Sequence, residues 1–150
     1  MTKIKLASQE DVSTIVSFMS DMQDELQEFA LDRHVATQTI ACAIDEGVYW
    51  FLFLNENNEP FGACYLQSVH NYWREKKRFY LGGFYIAPMQ RGKGLFKDIN
   101  KLLKDWVSQN GGVQIYAHIH KDNEKSLQSF HSVGLVPDEY LLCVNHWGEE

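Results

Sequence analysis

The chain has 150 residues, 45% of them hydrophobic, which is the length of one ordinary domain and enough apolar surface to fold without a disulfide or metal staple. Its 20 acids against 14 Lys and Arg leave a net charge of -6, which argues against a general nucleic-acid binder, because that work needs a basic surface. No run reaches the ~18 apolar residues of a membrane span, and no apolar signal core follows residues 1–5, so a cytoplasmic protein is expected.

In chain order, Lys3–Leu6 reads as a short strand. Ser8 with Asp11 three positions on is a helix-start pair. Behind it Val12, Ile15, Val16, Met19, Met22 and Leu26 recur at helical spacing. The opposite face carries Asp21, Asp24, Glu25 and Glu28. A second helix is expected over 37–45, closed by Gly47. The aromatic run 48–54, the polar turn 55–60 and the apolar run 61–67 read as an antiparallel hairpin. A polar, aromatic loop over 70–77 leads into a strand over 78–86. Gly82 and Gly83 inside that strand mark a bulge or a close backbone approach. Leu95–Gln109 is the clearest helix, with Leu95, Ile99, Leu102, Leu103, Trp106 and Val107 on one side and Lys97, Lys101 and Lys104 on the other. Strands over 113–119 and 140–144 flank a helix over 123–133 that Gly134 closes. The order β-α-α-β-β-β-α-β-α-β predicts a mixed-sheet α/β (α+β) layer fold. No repeat or linker divides it, so residues 1–150 read as a single domain.

Cys42, Cys64 and Cys143 show no CxxC spacing and read as reduced thiols. The histidines form no HExxH and no Cys/His ligand set, so no metal is expected. The most informative stretch joins the strand ending at Ile86 to the helix beginning at Leu95. Its core is Arg91-Gly92-Lys93-Gly94. The first N–H groups of a helix lack intrahelical partners and carry partial positive charge. Glycines let the backbone approach an anion, and Arg91, Lys93 and Lys97 add full charges. The pattern suits a phosphate or pyrophosphate. It is neither a Walker loop nor GxGxxG. A tight turn with solvated lysines gives the same spacing. Residues 1–75 hold 12 acids and 4 bases, net -8, and residues 76–150 hold 8 acids and 10 bases, net +2, so the loop lies in the basic half.

With these residues the chain resembles the GCN5-related N-acetyltransferases, the GNAT family. That family's pyrophosphate loop, [Q/R]-x-x-G-x-[G/A], is matched from Arg91 through Leu95, with Phe96 in the last place. Its second signature, Asn-x-x-[A/S] followed by an aromatic and then Gly, is matched by Asn123, Ser126, Phe130 and Gly134. The order of elements agrees over nearly the whole chain. The resemblance implies the GNAT acyl-CoA N-acyltransferase fold, its mixed sheet splayed between two parallel strands, 78–86 and 113–119, with helices on both faces. It implies acetyl-CoA as co-substrate and no metal. Backbone groups near Phe84, Tyr85 and Ile86 would hold the pantetheine and thioester. Amides of Arg91, Gly92, Lys93, Gly94, Leu95 and Phe96 would hold the pyrophosphate. Asn123, Ser126 and Phe130 would belong to the same cofactor side. The acetyl group would pass to a primary amine by direct attack.

Within the family, the stretch from His70, Tyr72, Trp73 and Arg74 through the strand 78–86 resembles the diamine and polyamine branch. Two positions depart from it. Gly82-Gly83 stand where that branch has Glu-Asp, and Phe130 stands where many members have a tyrosine that acts as general acid. His120 is the expected base in their place, with His118, Tyr85 and Tyr72 as rivals. Asp24 and Glu28, in an acidic run with Asp21, Glu25 and Asp32, are expected to face a cationic acceptor. Tyr72 and Trp73 are expected to stack on it. A solvated helix face and a capped core account for the same residues. Two other functions fit the chain: an acyl-CoA-binding or regulatory module with little turnover, and an acetyltransferase of protein or peptide amines. The expected partner is a small-molecule amine, with no nucleic acid and no membrane. Dimers are common among similar proteins, so a homodimer stays open.

Overall fold

A computed structural model describes residues 1–73 and 75–148. The chain divides into two compact units, residues 1–118 and residues 119–150. The first holds β1 (Lys3–Leu6), α1 (Val12–Leu26), α2 (Arg33–Asp45), β2 (Tyr49–Leu54), β3 (Pro60–Asn71), β4 (Lys76–Ile86), α3 (Leu95–Gln109) and β5 (Gly112–Tyr116). The second holds α4 (Glu124–His131). The strands form one sheet in the order β1-β2-β3-β4-β5. The first three pairings are antiparallel and β4 pairs β5 in parallel. This is the expected mixed sheet.

The period of two in β2 explains how both faces are filled. Trp50 and Leu52 join Ile15, Val16 and Met19 of α1, Ile40 of α2, and Ala63 and Tyr85 of the sheet in one buried cluster. Tyr49 and Phe51 point the other way and meet Trp106 of α3 at ring-centroid distances of 4.8 and 5.1 Å. Ile99, Leu103 and Val107 of α3 are buried with them. A strand covered on both faces reads as a continuous apolar run, which is how 48–54 looked in the sequence. Each such buried side chain contributes roughly 1.5–3 kcal/mol.

Several boundaries differ from expectation for local reasons. α2 begins a turn before residue 37 because Asp32 caps it, its Oδ1 accepting from the N–H groups of His34 at 3.0 Å and Val35 at 3.1 Å. β3 and β4 extend toward each other, so the loop over 70–77 shrinks to a turn, in which Asn71 Oδ1 accepts from Trp73 N–H at 3.2 Å. Arg74 lies outside the described residues. The Ser8–Asp11 signal is present, with Ser8 N–H donating to Asp11 Oδ2 at 3.0 Å. The strand expected over 140–144 does not form. Tyr140 and Leu141 are 81% and 86% exposed. The only regular element described in that unit is α4. An extended segment there has no neighbouring strand in its own unit to satisfy its backbone groups.

Gly82 and Gly83 supply both features expected of them. Ala63 pairs with Tyr85 and Tyr65 with Gly82, so β4 carries one extra residue against β3. Gly83 absorbs it at φ +57. The bulge resets the phase of the strand. Phe84 packs on Phe53 of the α3 face, and Tyr85 joins the α1 cluster.

Candidate active site

β4 and β5 part company inside the sheet. Their pairing runs from Lys77–Gly112 to Tyr80–Tyr116. β5 ends there, while β4 continues to Ile86. The stretch of β4 carrying Phe84, Tyr85 and Ile86 therefore has no β5 residue beside it. The two strands predicted to splay are adjacent and parallel, and their pairing stops where β5 ends.

The glycine loop follows at once. Gly92 and Gly94 sit at φ +77 and +75, and a Cβ on either would meet nothing within 4 Å. Glycine holds that left-handed backbone without strain. Gly94 caps α3, and its carbonyl takes the N–H of Asp98 at 3.5 Å. The N–H groups of Leu95, Phe96 and Lys97 precede this first helical bond. Lys93 and Lys97 are exposed beside them. Open glycine backbone, a positive helix end and two lysines fit a pyrophosphate. Phe96, the residue that departs from the family motif, packs edge-on against Phe84 at 5.2 Å and so supports β4.

Arg91 has a different set of partners from those expected. Its Nε donates to the Ile86 carbonyl at 2.8 Å, its Nη2 donates to Glu25 Oε2 at 2.8 Å, and its guanidinium lies 5.4 Å from the Tyr85 ring centre. It braces the loop between the strand end and the C-terminal turn of α1. Burial pushes the Tyr85 phenol up to about 12, helped by the Glu25 and Asp21 carboxylates. The α1 row that reaches Tyr85 is thus Asp21 and Glu25, one turn apart. Asp24 and Glu28 are exposed, and Glu28 lies beyond the helix end at Gln27. Tyr72 and Trp73 are 85% and 95% exposed on the β3–β4 turn, so they do not cap the core.

Gly82 explains the missing carboxylate. A Cβ there would run into the Tyr65 ring and hydroxyl. Tyr65 fills the space, and a larger side chain at 82 would need its ring to shift. The sequence carried no signal of this, because Tyr65 and Gly82 meet only through strand register.

In the second unit, Asn123 caps α4, its Oδ1 accepting from Ser126 N–H at 3.2 Å. Phe130 is buried at 8% exposure. His120 is exposed, and its Nδ1 accepts from Asp122 N–H at 3.1 Å and lies 3.9 Å from Asp122 Oδ2. One turn therefore gathers His120, Asp122, Asn123 and Ser126. Among the described residues, no group of three or more His, Cys, Asp or Glu could hold a metal ion, and no helix is long and apolar enough to cross a membrane.

The profile of the Acetyltransferase (GNAT) family matches residues 15–135. No curated protein matches the sequence. Among solved structures, a possible acetyltransferase from Clostridium difficile 630 superposes with a TM-score of 0.89 at 16% identity, covering 99% of both chains. A predicted acetyltransferase with acetyl-CoA from Clostridium acetobutylicum gives 0.77 at 18% identity, covering 97% of this chain and 96% of that one. An aminoglycoside acetyltransferase from an uncultured soil metagenomic sample, in complex with sisomicin, gives 0.80 at 14% identity over 99% and 97%. At these identities the likeness is one of fold.

Proposed function

The chain belongs to the acetyltransferase (GNAT) family, and from that premise we propose that it transfers the acetyl group of acetyl-CoA to a primary amine of a small cationic acceptor by direct attack. Acetyl-CoA is the co-substrate and supplies a thioester with an electrophilic carbonyl carbon. The observation that carries the reading is the end of β4–β5 pairing at Tyr80–Tyr116 while β4 runs on to Ile86, followed by open glycine backbone at the N-terminus of α3. The β4 edge at Phe84, Tyr85 and Ile86 offers backbone groups for the pantetheine, and its amides oppose negative charge building on the carbonyl oxygen. The loop from Arg91 to Phe96 offers amides to the pyrophosphate, with Lys93 and Lys97 as charges and Arg91 as a brace. Asn123, Ser126 and Phe130 of the second unit are proposed as further cofactor-binding residues, and the reading takes residues 1–150 as one cytoplasmic catalytic domain.

The acceptor must shed a proton. A lysine-like amine titrates near 10.4, so its neutral form costs about 4–5 kcal/mol at pH 7. His120 is the proposed base. The Nδ1 lone pair accepts from Asp122 N–H, so taking the acceptor's proton there requires that bond to break; the imidazolium then has the Asp122 carboxylate, 3.9 Å away, as its counter-charge. Asp24, Glu28, Tyr72 and Trp73 are proposed to attract the cation from solution, which their exposure supports. Release of CoA thiol against a panel of putrescine, spermidine, aminoglycosides and aromatic amines tests the reading, with calorimetry of CoA binding alongside. Absence of both binding and release would overturn it. His120→Ala should lower turnover by ~10²-fold, and a loss of less than about threefold removes His120 from the mechanism.

Phe130 favours a second reading. Its ring cannot give a proton to the departing thiolate, as expected of an acyl-CoA-binding module with little turnover. Tight CoA binding with no acceptor-dependent release would select that reading.

A further inference from the structure

Tyrosines from three neighbouring strands lie side by side on the α1 face of the sheet. Tyr80 of β4 is paired in register with Tyr116 of β5, and Tyr65 of β3 is paired with Gly82. Ring centres are 6.0 Å apart for Tyr65–Tyr80 and 5.3 Å for Tyr80–Tyr116. Trp50 extends the row at 5.0 Å from Tyr65, and His118 at 5.0 Å from Tyr80. The opposite face of these strands is filled by α3. The three tyrosines are only half-buried, although rings this large normally end up in the core. The row reaches the point where β4 and β5 separate, because Tyr80–Tyr116 is their last pair. β4 runs on from Tyr80 to Phe84, Tyr85 and Ile86, the stretch proposed for the thioester.

The charges around the row are uneven. Burial, and then the neighbouring tyrosine, raises both Tyr65 and Tyr80. The carboxylates sit at the other end, where Asp21 and Glu25 act on Tyr85. At the β5 end, Arg78 lies over the Tyr116 ring at 4.5 Å and donates through Nε to Gln114 at 2.7 Å. A chain of several ammonium groups laid along this floor would meet Arg78. A single ammonium held toward Asp21 and Tyr85, with a flat body on the tyrosines, would not.

We propose that the acceptor is a primary amine carrying an aromatic or similarly flat apolar body, seated on the floor formed by Tyr65, Tyr80 and Tyr116. This rests on the acetyltransferase reading and names the acceptor class of that same site. Edge and offset contacts with these rings supply the affinity, and the Tyr65 ring over Gly82 sets the depth of the floor.

Calorimetric titration of the full chain in the presence of CoA, with 2-phenylethylamine and spermidine as probes, reads the inference without turnover. 2-Phenylethylamine should bind at least about tenfold more tightly than spermidine. Tyr80→Ala and Tyr116→Ala should each weaken it by about tenfold, while Tyr80→Phe, which keeps the ring, should stay within about threefold. Spermidine binding as well as 2-phenylethylamine would overturn the inference. So would unchanged 2-phenylethylamine binding in both folded alanine variants. If those variants do not fold, the ranking on the unaltered chain and the Tyr80→Phe result decide. Failure of CoA itself to bind would sink the acetyltransferase reading, whereas CoA binding with spermidine preferred sinks only this acceptor class.

Discussion

Arg91 is the residue whose environment departs most from its motif, and the departure is measurable. Its bond to Glu25 is 2.8 Å long, and each side chain is 38% exposed. Exposed ion pairs contribute about 0.2–1 kcal/mol, and hydrogen bonds to charged groups about 1.5–3 kcal/mol. A pair of intermediate exposure should therefore couple by about 1 kcal/mol. Arg91→Ala loses more than this, because it also removes the bond to Ile86 and the contact with Tyr85. Its total cost should be about 2–3 kcal/mol, and that of Glu25→Gln about 1 kcal/mol. Urea unfolding of the chain, both single variants and the double variant measures the coupling as a cycle. The coupling should shrink in 1 M salt, where screening is short-ranged. Arg91→Lys separates a brace from a bare charge. Lysine has no fork to span Glu25 and Ile86 together, so it should lose most of what alanine loses. A coupling below about 0.2 kcal/mol, or a lysine variant as stable as the parent, would refute the brace and return Arg91 to the role of a phosphate-facing charge.

Cys64 is fully buried and its thiol is pushed well above the ordinary range by burial. A maleimide should label exposed Cys42 and Cys143 in the native chain and reach Cys64 only on unfolding. Equally fast labelling of all three would contradict the packing. For Asp11, burial opposes ionisation, but the Ser8 N–H and Lys5 at 3.1 Å outweigh it and hold the carboxyl below its usual range. Its contribution is present above the unfolded-state value and is lost as pH falls through the lower folded value. Asp11→Asn should therefore cost about 1 kcal/mol near pH 7 and nothing near pH 2, read from urea midpoints at the two pH values. A cost that does not change with pH would point to packing instead. At Gly62 a Cβ would run into the Tyr85 carbonyl and the Phe53 ring. Gly62→Ala should destabilise by about 2–3 kcal/mol, and a neutral urea midpoint would show that β3 and β4 can move apart there.

Much of the fold was legible because its signals are local. The helix Leu95–Gln109 needed only its apolar stripe and the flanking glycines, and its observed bounds are the same. The aromatic run before residue 55 announced a strand of an antiparallel hairpin, and β2 pairs with β3 in that way. Gly92 and Gly94 before an amphipathic helix announced a tight glycine loop, and both glycines adopt a left-handed backbone. The start of α2 was missed although its signal was present, since Asp32 was read as one acid of a run and not as a cap. The strand over 140–144 was drawn from apolar content, which does not say whether a neighbouring strand is available.

The sequence by itself determined most of the elements, their order and the left-handed glycine loop before α3, because periodicity, caps and glycine conformations depend on neighbours a few positions apart. Only the tertiary structure decided what the site's side chains meet. Arg91 finds Glu25 sixty-six positions away. Tyr65 occupies the place beside Gly82, and the Glu25 and Asp21 carboxylates act on the Tyr85 phenol. Strand register, one bulge residue and the rotation of α1 set these contacts. Each is settled by the packing of the whole sheet, and none leaves a trace in the spacing of the residues concerned.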